Sequence, residues 1–97
     1  MMWLEVIHVR VADQELDRLI PIFTQLIDEI RENKSCRQVK LFRRALLKTD
    51  VCLHLYHDSE NSQDTGSSVG LHLAAALKQF GMVNHTVWMV SDQAESQ

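Results

Sequence analysis

DVCLHLYH, residues 50–57, alternates without a break: Val51, Leu53 and Leu55 face one way, Cys52, His54 and Tyr56 the other. A period of two is the mark of a strand buried on one face. Upstream, Cys36 to Leu47 also reads as extended, and a turn near Lys48-Thr49 makes the two segments a hairpin. That turn sets Cys52 opposite Ala45 and leaves Cys36 at the far end of its strand, so no disulfide is expected. Downstream, His57 to Ser68 is polar, contains Gly66 and lacks an apolar anchor, which reads as a solvated loop. A serine near Ser67 then caps a helix whose buried stripe is Val69, Leu73, Ala76, Leu77 and Phe80. Gly81 ends that helix in left-handed geometry, and Met82 to Val90 closes as a strand.

The N-terminal part supplies the other half. Met2 to Ala12 alternates as Trp3, Ile7, Val9, Val11 against Leu4, Val6, His8, Arg10, with Glu5 interrupting the first set. Asp13 is the N-cap candidate of a helix from Leu16, in which Leu19, Ile20, Phe23, Leu26, Ile27 and Ile30 recur at helical spacing. Pro21 lies inside it and predicts a kink or a broken first turn. The resulting order is β-α-β-β-α-β, an α+β ferredoxin-like arrangement: a four-stranded antiparallel sheet in the order 4-1-3-2, with two helices on one face. The opposite face must meet a partner, a ligand or water.

Length and composition agree with this. At 97 residues, 45% apolar and 24% charged, the chain fits one domain over 1–97, with 91–97 as a frayed tail. So small a domain gains from dimerising through its uncovered sheet face. Neither a signal peptide nor an apolar run long enough to span a membrane is visible, so the expectation is a cytoplasmic protein without membrane contact. The triplets Asn33-Lys34-Ser35 and Asn84-His85-Thr86 match the glycosylation pattern but read as chance in that setting.

Alternation also nominates a site. If Ile7, Val9, Val11, Val51, Leu53 and Leu55 meet the helices, the uncovered face presents Leu4, Val6, His8, Arg10, His54 and Tyr56; placing Val83, Val87 and Met89 of the last strand inward adds Asn84, Thr86 and Trp88. Apolar walls with a few polar groups suit either a small-ligand pocket or a dimer interface, and both readings stand. For catalysis, His8 or His54 is the natural general base, Arg10 the stabiliser of a developing anion, and Tyr56 or Trp88 a stacking wall, with Asn84 among the ligand-binding candidates.

Other chemistries find less. His54 and His57 are three apart on a strand and point to opposite faces, and no carboxylate matches the histidines in position, so no metal site and no cofactor are expected. There is no G-x-S-x-G, P-loop or G-x-G-x-x-G. Between Arg31 and Lys48 seven basic residues face one acid, leaving the remainder at about −9 within a net charge of −3. Such a stripe could meet nucleic acid, but it also protects an edge strand from pairing, and no RNA-recognition motif accompanies it; nucleic acid is not the expected partner.

From Trp3 to Val90 the chain resembles the dimeric α/β-barrel superfamily, which includes antibiotic-biosynthesis-type monooxygenases and stress-responsive barrel proteins. The most family-like stretch runs from Val69-Gly70-Leu71-His72-Leu73 through Leu77-Lys78-Gln79-Phe80-Gly81 into Val87-Trp88. The resemblance implies two sheets packed face to face across a two-fold axis, with the uncovered face as the barrel interior. Some relatives oxidise aromatic substrates without metal or flavin, others bind haem, and many have no assigned activity. Three functions follow: a dimeric barrel binding a small, partly aromatic ligand; a cofactor-independent monooxygenase or isomerase; and a regulatory or assembly module without catalysis.

Overall fold

A computed structural model describes residues 2–12, 15–58 and 65–91. Its elements are β1 (Met2–Arg10), α1 (Leu16–Glu32), β2 (Gln38–Arg43), β3 (Asp50–Asp58), α2 (Ser68–Leu77) and β4 (Met82–Met89). The four strands form one sheet in the order β2-β3-β1-β4, the expected order read from the other edge, and every neighbouring pair is antiparallel.

Register gives the sheet a simple rule. Paired residues are Arg10 with Asp50, Arg10 with Met82, and Phe42 with Cys52, so each pair joins two even or two odd numbers. Odd-numbered strand residues therefore share one face and even-numbered ones the other. Ile7, Val9, Val39, Val51, Leu53 and Leu55 on the odd face are buried in one core with Leu16, Leu19, Phe23, Ile27 and Ile30 of α1 and Leu73, Ala74 and Leu77 of α2. Both helices lie on that face. Phe23 and Phe80 meet edge to face with ring centroids 6.0 Å apart, joining α1 to the segment after α2.

Several local expectations change. α1 runs unbroken through Pro21, first turn included. Proline removes one backbone bond, to the Asp17 carbonyl, while Leu16, Leu19 and Phe23 hold both sides of it in the core. The Asp13 cap, the loop over 59–64 and the tail over 92–97 lie outside the described residues. β2 ends at Arg43, and a wider turn with Leu46 at φ +67° returns the chain at Asp50, so Cys52 faces Phe42 rather than Ala45. Both cysteines are free. His57 is not in the loop: β3 continues to Asp58, with the His57 ring buried against Trp3 at a centroid distance of 4.2 Å.

Ser67 caps α2 as expected, its side chain accepting from the Gly70 amide at 3.0 Å. The buried positions of α2 are Gly70, Leu73, Ala74 and Leu77, whereas Val69, Ala76 and Phe80 are only partly covered. Gly81 does not adopt left-handed geometry; among the described residues the glycine with positive φ is Gly66, at +108°. Glycine is needed at 81 because the chain passes against the end of β1, where a Cβ would collide with the Arg10 carbonyl oxygen. Gly81→Ala is expected to lower stability by about 1–3 kcal/mol through overpacking against backbone, measured by urea unfolding; an unchanged midpoint would show that the strand end yields.

Candidate functional site

The even face is the one the helices leave open. Leu4, Val6, His8, Cys52, His54 and Tyr56 are half-buried there by their neighbours, while Arg10, Phe42, Asn84 and Trp88 are exposed. All six candidates, His8, Arg10, His54, Tyr56, Asn84 and Trp88, lie on this face, but they do not gather at one point.

At one end, Asp50 organises a polar cluster. Its carboxylate is 1% exposed and accepts from Thr49 Oγ1 at 2.6 Å, His8 Nε2 at 2.7 Å, and Arg10 Nε and Nη2 at 3.2 Å each, with Arg44 Nη1 at 3.5 Å. The Arg10 guanidinium, followed by the Thr49 hydroxyl, holds the Asp50 carboxyl well below the usual carboxylate range. A carboxylate only accepts, so His8 Nε2 carries the hydrogen of this contact, and in the neutral ring Nδ1 is then the acceptor. Two hollows flank His8. One of about 210 Å³ is lined by His8, Arg10, Met82, Val83 and Asn84; the other, about 310 Å³, includes Phe42, Arg44, Asp50 and Cys52.

Tyr56 and Trp88 belong to the other end, where with Met2, Leu4 and Met89 they line a hollow of about 240 Å³. Leu4, opposite Trp88, and Arg10 are six residues apart along β1, about 20 Å at strand spacing. The Trp88 indole N–H donates to Thr86 Oγ1 at 2.8 Å. His54 stands between the ends, its ring 4.5 Å from Phe42 and 6.3 Å from Tyr56, and burial pushes its pKa down. It lies opposite Val6, diagonal to His8 rather than directly across. Asp50 and Arg44 were not among the candidates. The available signal was parity: an acid at position 50 shares the face of Cys52, His54 and Tyr56.

A second polar cluster sits under the helices and overturns the expectation that no carboxylate matches the histidines. Glu5, fully buried, accepts from His57 Nε2 at 2.6 Å, His85 Nε2 at 2.7 Å, the Ser67 amide at 3.1 Å and the Ser67 hydroxyl. His57 and His85 lie on the strands either side of β1, and Ser67 opens α2. Gly70 permits the approach, since a Cβ there would collide with the Glu5 carboxylate. The positive end of the α2 dipole favours the anion and disfavours a cation in the same place. Among the described residues no group of three or more histidine, cysteine or acidic side chains could hold a metal ion.

No family model matches the chain, and no curated protein matches it. Solved structures do. Rv0793 from Mycobacterium tuberculosis superposes with a TM-score of 0.68 at 18% identity, covering 97% of this chain and 99% of that one. A protein described as an antibiotic biosynthesis monooxygenase gives 0.65 at 13% identity over 95% and 98%. The chain has the antibiotic-biosynthesis-monooxygenase fold. SnoaB, a cofactor-independent oxygenase from Streptomyces nogalater, solved as a mutant, gives 0.68 at 11% identity over 96% of each chain.

In this monooxygenase-type fold the two carboxylates lie on opposite faces of one sheet and make different predictions. Glu5→Ala strands two buried imidazole donors and is expected to cost about 3–5 kcal/mol in urea unfolding. A loss under 1 kcal/mol, on the scale of an ordinary surface change, would show that water replaces the carboxylate (about 0.5 kcal/mol for surface sites). For Asp50, the folded pKa lies below the unfolded one, so its stabilisation is complete above about pH 4 and is lost as pH falls toward the folded value. Asp50→Asn should therefore melt lower at neutral pH and show a flatter acid limb, the two proteins converging on acidification. Parallel acid limbs in thermal melts would contradict this.

Proposed function

We propose that two copies of the chain pack through their open sheet faces and that the enclosed space receives a small, partly aromatic molecule. The carrying observation is an apolar surface where a solvated sheet would be polar: Met2, Phe42, Met82 and Trp88 are 43%, 44%, 77% and 58% exposed and share the even face. Exposed apolar area of this kind marks an interaction surface. The fold shared with monooxygenase-type proteins supports the same reading. The Asp50 cluster supplies polar groups beside apolar walls, the usual constitution of a small-ligand site.

One arrangement favours chemistry there over assembly alone. With Nε2–H given to Asp50, His8 Nδ1 is a proton acceptor, and Arg10 stands beside it to stabilise the anion that proton removal would create. That is the outline of a cofactor-independent oxygenase or isomerase acting on an acidic ligand, and the likeness of fold to SnoaB points the same way. In this reading His8 is the base; His54, packed on Phe42, shapes the wall.

Sedimentation equilibrium tests the assembly. The chain is expected to be a dimer at micromolar concentration, with Trp88→Asp and Phe42→Asp shifting it to monomer while circular dichroism stays unchanged. A monomeric wild-type protein would overturn the proposal.

A further inference from the structure

We infer that the ligand of the open face is an anion, an aromatic or otherwise planar molecule carrying a carboxylate, received where Arg10 and Arg44 converge on Asp50. This inference rests on the ligand-binding reading of that face and names the substrate class. Charge carries it. Two guanidinium groups meet one carboxylate, so the cluster keeps a net positive charge within a chain of net charge −3. Asp50 takes its close donors from Thr49, His8 and Arg10, and the second guanidinium stands off at 3.5 Å, only weakly engaged.

Donor geometry agrees. Arg10 spends Nε and Nη2 on Asp50, and among the described residues its Nη1 donates to no protein acceptor. The Arg44 guanidinium reaches the Asp50 carboxylate only through Nη1 at 3.5 Å; its backbone amide donates to the Asp50 carbonyl at 3.1 Å, and its other guanidinium nitrogens donate to no acceptor among the described residues. Arginine presents paired donors that match a carboxylate, so the two half-used forks are preorganised for a second anion. They are also half-exposed, at 56% and 52%, whereas Asp50 beneath them is closed to solvent.

The surroundings choose among anions. The Arg10 hollow is completed by Met82, Val83 and the Asn84 amide, and the Arg44 hollow by Phe42 and Cys52. An inorganic anion would gain nothing from these apolar walls, whereas a planar carboxylic acid buries its ring against them and sets its charge on the arginines. Each hollow, at about 210 and 310 Å³, suits a molecule of one or two rings.

Matched probes test this: 2-naphthoate and its uncharged amide, 2-naphthamide, titrated into the full chain by calorimetry at low salt. The carboxylate is expected to bind about tenfold more tightly than the amide. That preference should shrink with added salt and in both Arg10→Gln and Arg44→Gln, the second of which leaves the close Asp50 contacts intact. Equal affinity for acid and amide would overturn the anion inference while leaving the pocket reading in place. A preference unchanged in both variants would overturn the assignment to Arg10 and Arg44. Failure of both probes to bind a verified dimer would overturn the inference and the ligand reading together, leaving an assembly surface.

Discussion

A carboxylate in the middle of a hydrophobic sheet face sets the terms for everything else in this molecule. Glu5, opposite Leu55, shares the buried odd face with Ile7, Val9 and Leu53, where an ion without partners would cost several kcal/mol. It is tolerated because its oxygens meet two imidazoles, a hydroxyl and a helix-terminal amide drawn from β3, β4 and the start of α2. One side chain thereby ties the central strand to both neighbours and to a helix. With a side-chain period of two, sliding either neighbour by one residue would turn His57 or His85 away and strand the charge. Register in the sheet is thus fixed by an electrostatic requirement as well as by the apolar pattern.

That requirement explains which parts of the structure could be read from the chain. Alternation in 3–11 and 50–57, helical spacing from Leu16 to Ile30 and the Ser67 cap are local properties, and each was legible because the side chains concerned act within one element. Partition of the even face was legible for the same reason. The Glu5 cluster was not. Its members are separated by 52, 62 and 80 positions, and each alone looks like something else: a blemish in a strand, a loop histidine, a helix cap. Gly81 is a similar case, since its smallness answers to the Arg10 carbonyl rather than to the helix it follows.

The two carboxylates also show why a polar cluster inside a fold need not be a site. Every acceptor on Glu5 is met by groups with no formal charge of their own when the histidines are neutral, the cluster is enclosed, and the helix dipole completes it. Nothing is left to offer a ligand. Asp50 is as buried, yet two of the four residues that meet it, Arg10 and Arg44, are cations whose outer donors are not spent on it. The difference between a structural and a recognising cluster lies in that remainder of charge and donors.

Pairing of open faces sharpens the point. An interface formed through the even face would bring its exposed Trp88, Phe42 and Met82 out of water, a gain of about 25 cal/mol for each Å² of apolar area. It would also bring the arginine remainder at Asp50 toward a region of low dielectric, where an uncompensated guanidinium is expensive. Three things could compensate it: water at a rim, an acid from the second copy, or an anion held between the sheets. On the even face the acids at the strand ends are Asp50, already met by Thr49, His8 and Arg10, and Asp58, which is paired with Arg37. Neither is spare for a neighbour's arginine. The hollows beside His8 set polar groups, His8, Arg10, Asn84 and Arg44, against the apolar walls of Met82, Val83 and Phe42, and water would satisfy the first without neutralising the charge or covering the second. An anion with an apolar body answers both demands at once, filling the hollows and neutralising the remainder, and it would make the stability of the assembled dimer depend on its ligand.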